Sequence, residues 1–280
     1  MELFAGRKVI IATKHQKERV IAPLVESAFG VDCFVEAKLD TDAFGTFSGE
    51  IERKSNALET VRQKCLQAME LANCDLGIAN EGSFGPHPTL FMAPADEEII
   101  LLIDKKNKLE IVEHVLSLET NFAGKQIDSY ENLVEFAQSI GFPEHGLLLK
   151  TTNKTTAKMV KGIQSWELLE ASYRSLAANN TPVFVETDMR ALYNPTRMKV
   201  IEKATQKLVE KIKSLCPNCD TPGFGVVNYK TGLPCAWCNQ PTASTLAHIL
   251  NCQKCRFEKV LFYPFEKKTE DPMYCDYCNP

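Results

Sequence analysis

The sequence predicts an α/β protein that runs into a helix and then a small cysteine-rich β module. Two observations carry this. Strand-type and helix-type periodicities alternate over the first two-thirds of the chain, and eight of the 11 cysteines fall after residue 215, in four C-x-x-C pairs. Composition agrees: 44% hydrophobic and 24% charged residues exclude a mainly disordered chain. At roughly 150 residues per domain, 280 residues suggest two domains. The expected division is an α/β domain over 1–193, a connecting basic helix over 194–215 and the cysteine-rich module over 216–280.

The elements follow in order. Arg7–Ala12 is a short apolar strand, and the pattern of Val20, Ile21, Leu24, Val25 and Ala28 is a helix face. Thr13–Lys17 therefore sits where a strand ends and a helix begins, a place that suits an anion through free N–H groups and the helix dipole. Val31–Val35 is a second strand, and the polar, Gly-bearing Thr41–Glu52 a loop. Ser55–Ala72 is an amphipathic helix, and Leu76–Ala79 a third strand that gives way to a loop over Asn80–Pro88. Glu98–Asp104 and Leu109–Ser117 form a hairpin. Ser129–Ile140 is a helix capped by Asp128 or Ser129, Gly146–Lys150 a strand, Ser165–Ala178 a helix and Val183–Glu186 a strand. Asn194-Pro195 opens a helix with a capping side chain and a proline in the first helical position. Over Thr196–Leu215 that helix carries six Lys/Arg against two Glu.

The cysteine pairs are Cys216/Cys219, Cys235/Cys238, Cys252/Cys255 and Cys275/Cys278. A C-x-x-C turn presents two thiolates to one metal, and two such turns complete a closed tetrahedral S4 site, the geometry of structural zinc. Eight cysteines make two sites with none left over, a double zinc ribbon with two structural Zn²⁺. Sequential pairing, the first pair with the second and the third with the fourth, puts a hairpin in each gap; nested and interleaved pairings stay open. His248, outside a full ligand count, reads as packing. Phe224, Tyr229 and Trp237 read as filling for a thin module rather than as base-stacking platforms. Lys/Arg and Asp/Glu balance at six each in this module, so the thiolates leave it net negative even with zinc bound. That disfavours nucleic acid as a partner and leaves docking of a protein partner as the module's alternative use.

One stretch of the α/β part resembles a known family. Ile11-Ala12-Thr13-Lys14-His15-Gln16-Lys17-Glu18 is similar to the opening strand–loop–helix of the inosine-triphosphate pyrophosphatase-like superfamily, which includes the Maf-type and the inosine/xanthosine triphosphatases. Its members hold a triphosphate on a Thr/Ser-x-Asn-x-x-Lys loop; here Thr13 and Lys17 keep the pattern and His15 replaces Asn. Gly45–Glu50 with Ser55-Asn56-Ala57 looks like the family's acidic, Asn-Ala-bearing helix start. Asp75–Gly82 is similar to its strand ending in an acid before glycine. Lys54 and Ser55 stand where the metal-holding Glu is usual, which leaves Glu50 and Glu52 as the nearest acids. The whole chain resembles an uncharacterised bacterial family that joins such a domain to a zinc ribbon. The resemblance implies a mixed sheet flanked by helices and a Mg²⁺-dependent hydrolase of aberrant purine nucleotides. The alternative is a non-catalytic protein that binds a nucleotide or phosphate ligand.

Such hydrolysis needs cations on the phosphates, carboxylates on Mg²⁺ and an oriented water. Thr13, Lys14 and Lys17, with Asn56, Gly82 and His87, are the candidate substrate-binding residues; Glu52 and Glu81 are the candidate catalytic ones. Glu50, Glu52 and Glu81 are the candidate Mg²⁺ ligands. A second constellation, Asp188, Arg190 and Arg197, lies between a strand and a helix, where α/β proteins place ligands; its plainer reading is an Arg–Asp ion pair. Lys14 and Lys17 could equally be a solvated helix start, and Glu81 a loop acid. No apolar run approaches a membrane span, and the N-terminus lacks a signal-peptide pattern, so the expected location is cytoplasmic.

Overall fold

The computed structural model describes residues 2–37, 56–151, 158–178 and 182–279. The chain divides into two compact units, Met1–Val209 and Glu210–Pro280.

In the first unit a five-stranded mixed sheet has the order β2-β1-β3-β4-β5. Its strands are β1 (Lys8–Ala12), β2 (Asp32–Phe34), β3 (Leu76–Pro86), β4 (Pro94–Asp104) and β5 (Leu109–Ser117). β1 pairs in parallel with β2 and β3, while β3, β4 and β5 are antiparallel neighbours. Helix α1 (Glu18–Phe29) links β1 to β2, and helix α2 (Ala57–Leu71) precedes β3. Gly30 ends α1 in the left-handed region at φ 63°, the conformation glycine adopts without strain.

Side chains alternate across a strand. On one face, Ile10, Ala12, Ala79, Ile99, Leu101 and Ile103 pack with Val61, Cys65, Ala68 and Met69 of α2. On β3 and β4 the opposite parity holds Ile78, Asn80, Ile100 and Leu102, all buried. The predicted loop at Asn80–Pro88 is instead mostly strand, since β3 pairs with β4 as far as Pro86↔Pro94. Asn80 and Glu81 look like breakers, but both are buried and bonded to side chains from other elements, so burial overrides local propensity.

A second, wholly antiparallel sheet has the order β6-β9-β7-β8. Its strands are β6 (Gly124–Ile127), β7 (Leu147–Lys150), β8 (Met159–Ile163) and β9 (Val183–Thr187). With α3 (Tyr130–Ser139) and α4 (Trp166–Leu176) it closes its own core around Leu133, Phe136, Leu149, Leu169 and Val185. β6 and β8 were not expected from the sequence: Gly124-Lys125-Gln126 and Met159–Gly162 carry little apolar alternation. Ser129, one of the two expected caps, accepts from Asn132 N at 3.2 Å, and Ser165 likewise caps α4.

Helix α5 (Pro195–Lys213) opens as expected. Asn194 Oδ1 accepts from Arg197 N at 3.0 Å, while Asn194 Nδ2 donates to Asn121 Oδ1 at 2.8 Å. Asn194 is fully buried, so losing it removes a helix cap and leaves Asn121 short of a donor. Asn194→Ala is expected to lower stability by about 1–3 kcal/mol, read by chemical denaturation; a change within a few tenths would remove the cap's role.

The second unit contains a three-stranded antiparallel meander, β10 (Gly225–Thr231), β11 (Thr245–Asn251) and β12 (Glu258–Phe262).

Candidate metal centres and a buried charged site

The four C-x-x-C turns share one build. In each, the N–H two residues past the turn's midpoint returns to the first cysteine: Asp220 N, Asn239 N, Arg256 N and Asn279 N donate to the carbonyls of Cys216, Cys235, Cys252 and Cys275 at 2.8–3.0 Å. Asp220, Asn239 and Arg256 take left-handed φ values of 55°, 59° and 62°, which fold each turn back on itself. Asn218 N and Trp237 N each point at the preceding thiol, at 3.4 Å from Cys216 Sγ and Cys235 Sγ.

The turns assemble as Cys216, Cys219, Cys252 and Cys255 in one cluster and Cys235, Cys238, Cys275 and Cys278 in the other. In each cluster the sulfurs lie within 4.8 Å of one another. Cys216–Cys255 and Cys219–Cys252 are 3.6 Å apart, and Cys238–Cys275 3.6 Å. Four sulfurs at about 2.3 Å from a tetrahedral Zn²⁺ stand about 3.8 Å apart, so both clusters could hold zinc. The pairing is interleaved, which corrects the sequential expectation. The meander supplies the reason: successive turns fall at alternate ends of an antiparallel sheet, so the first meets the third and the second meets the fourth.

Phe224 is buried and packs on Phe257 at 6.0 Å between centroids, as expected of a filler. Tyr229 and Trp237 do not fill the module; they are 63% and 79% exposed. His248 packs edge-on against Phe265.

The α/β unit contains a second concentration of chemistry. Lys17 is buried just before α1, and its Nζ donates to Asn80 O at 3.0 Å and Asn80 Oδ1 at 2.9 Å. Asn80 Nδ2 donates in turn to Glu98 Oε2 at 2.9 Å. Glu98 Oε1 receives Arg197 Nε at 2.7 Å, with both side chains fully buried. Arg197 Nη1 donates to Met189 O at 2.6 Å, and the guanidinium lies 5.0 Å from the Phe84 ring centroid. A Cβ on Gly82 would stand 2.4 Å from Arg197 Nη2 and 2.7 Å from Glu98 Oε1, so the strand has room for this pair because residue 82 is glycine. Glu81, of the opposite parity, receives Lys64 Nζ of α2 at 2.6 Å. Burial, then the charge of Arg197, pull Lys17 down to about 7. Perturbed ionisable groups gathered in a protein interior are candidates for function.

The structure thus joins Lys17 and Arg197 to one network and sets Glu81 beside it with Lys64. Thr13 is buried next to this turn and Lys14 is exposed; Thr13 Oγ1 accepts from His15 N at 3.3 Å. Gly82 lies against the Arg197–Glu98 pair. Asn56 caps α2, accepting from Glu59 N at 2.8 Å. His87 Nδ1 accepts from Thr89 N and Leu90 N, so its ring organises its own turn. Asp188 and Arg190 form the ion pair of the plainer reading, at 2.6 Å, with Asp188 also accepting from Gly162 N. Glu50 and Glu52 lie outside the described residues. Sequence reasoning missed Lys64, Asp96 and Glu98. The signal was present for the acids: Asp96 and Glu98 share the inward parity of Ile100 and Leu102 in an apolar strand, where a solvated acid has no place.

Double substitutions test the interleaving. Cys216→Ser with Cys252→Ser is expected to retain one zinc per chain by metal analysis and native mass spectrometry, and Cys216→Ser with Cys235→Ser none. The reverse pattern would restore sequential pairing.

No helix among the described residues is long and apolar enough to cross a membrane. No curated protein matches the chain. The family described as "Domain of unknown function (DUF6671)" matches residues 64–280, which include Glu81, Glu98, Arg197 and all eight clustered cysteines. The chain belongs to that family.

Proposed function

We propose that the α/β unit binds a nucleotide or related phosphate ligand at the β1–α1 turn, and that the second unit is a zinc module with two structural Zn²⁺. The observation that carries the ligand reading is the placement of Lys17. A lysine at the end of a parallel strand, where a helix begins, is held by Asn80 in a buried charged network. Thr13 and Lys14 share that turn. An arriving phosphate finds the start of α1 and two lysines, and binding there is favoured by charge and helix dipole together. The resemblance to the inosine-triphosphate pyrophosphatase-like superfamily makes inosine and xanthosine triphosphates the first ligands to test.

Hydrolysis is the second reading, favoured by Glu81 lying one residue from Asn80. Its carboxylate is already held by Lys64 at 2.6 Å, and the two cysteine clusters are the only groups of three or more metal-ligating side chains among the described residues. These residues do not build a Mg²⁺ site on their own, so no step is derived through that ion. Lys17, Lys14 and the turn would bind and orient phosphate. Arg197, bonded to Glu98 and Met189, would hold the floor of the network.

The test is thermal shift and phosphate release with a panel of nucleoside triphosphates, with and without Mg²⁺. Ligand at a hundredfold over Kd is expected to add about 2.7 kcal/mol of apparent stability. Lys14→Ala is expected to weaken binding roughly tenfold, the loss of one charged phosphate contact. Affinity is expected to fall as pH rises above 7, because Lys17 then gives up the charge that attracts the anion. Absence of any shift across the panel would contradict the reading, and release of phosphate or pyrophosphate would favour hydrolysis over binding alone.

A further inference from the structure

Asp96 plays no part in the ligand reading, yet it is the most unusual side chain in the unit. It lies on β4 two residues before Glu98, on the same face of the sheet. It is fully buried, and neither carboxylate oxygen is met by a donor. Its cross-strand neighbours are Phe84 on β3 and Ser117 on β5. What its carboxyl group does meet, at hydrogen-bonding range, is the carboxyl group of Glu98.

Two ionised carboxylates have four acceptor oxygens between them and no hydrogen to share. A contact between them in a closed interior requires a proton or a cation. The nearby cations are already engaged: Arg197 through Nε with Glu98 and through Nη1 with Met189, and Lys17 with Asn80. A divalent cation would add two charges to a buried set in which Lys17, Lys64 and Arg197 already match Glu81, Asp96 and Glu98. A proton adds one charge and supplies the missing hydrogen.

We propose that Asp96 and Glu98 share one proton at neutral pH, forming a proton-holding carboxyl pair in which Asp96 is a positioning residue. Asp96 carries the hydrogen and donates it to Glu98, and Glu98 keeps the negative charge that holds Arg197. The strongest charges acting on Asp96 fit this assignment: Glu98 on its own strand, opposed by Arg197 from α5 and Lys17 from the β1–α1 turn. Burial and then Glu98 push the Asp96 carboxyl up to about 8, as in other carboxyl pairs forced to share a proton. The inference stands apart from the nucleotide reading, because it concerns the resting protein with nothing bound.

The sign of the pH effect follows. The folded protein holds a proton that the unfolded chain releases above its ordinary Asp value of 3.8. Stability from this group is therefore lost as pH rises towards 8. Asp96→Asn mimics the neutral acid and has no proton to lose. The full zinc-loaded chain and its Asp96→Asn variant are compared by chemical denaturation between pH 5 and 7.5. The variant is expected to be as stable as the parent or more so at pH 7, and to gain on it by about tenfold in the folding equilibrium constant per pH unit. Infrared spectra of the parent at pH 7 are expected to show a protonated carboxylic acid band that Asp96→Asn removes. A variant less stable than its parent at pH 7, a flat difference across that range, or absence of the acid band would overturn the proposal. So would a Mg²⁺-dependent rise in the parent's melting midpoint that Asp96→Asn abolishes, which would put a cation between the two carboxylates.

Discussion

The α/β unit depends on one ion pair with no access to water, Arg197 of α5 on Glu98 of β4. Removing two full charges from water is costly, and an ion pair offsets that only when its remaining hydrogen-bonding positions are also filled. Most of the local sequence can be understood as meeting that demand. Asn80 fills the second oxygen of Glu98 and then anchors Lys17. Met189 O takes Arg197 Nη1, which ties the chain after β9 to the start of α5. Asn194 caps that start by accepting from the backbone N–H of Arg197 itself. Gly82 leaves the volume that the guanidinium occupies. The network reaches five elements, so a change at any of these residues propagates to the turn proposed to receive phosphate.

The second unit meets a different demand by different means. Its strands are short and largely exposed, with β10 and β12 showing little burial along their length, and its core cluster is small, centred on Cys216, Phe224 and Cys252. A module with so little apolar burial needs staples. Two S4 sites at opposite ends of a three-stranded meander fasten each end of the sheet, and interleaving means that each metal links turns distant in sequence. That arrangement restricts the unfolded chain more than two local hairpin clips would, because each closed loop is longer.

Much of this was legible in the sequence. The four C-x-x-C pairs identified the metal sites because the spacing is a local property of one turn. Their partnership was not local, but it follows once three strands are known to form a meander, since odd and even turns then lie at opposite ends. The β1–α1 turn was legible because an apolar run changed to a helical period at Thr13. β3 was misjudged at Asn80 because propensity is read from neighbours in sequence, whereas Asn80 and Glu81 are stabilised by Lys17, Glu98 and Lys64. β6 and β8 carry too little alternation to be seen at all. Among the site residues, Lys17 and Arg197 were singled out correctly as parts of charged constellations, but in separate ones; the single network that contains both runs through Glu98, which the strand pattern hides.

The central claim, that the Arg197–Glu98 pair organises the α/β unit, is tested most directly by a double-mutant cycle in chemical denaturation. The account predicts that Arg197→Met and Glu98→Leu each lower stability by about 3–5 kcal/mol, because each leaves a buried charge alone. Combined, they should lower it by much less than the sum of the two. Single variants with near-native stability, or a double variant whose loss equals the sum, would contradict it.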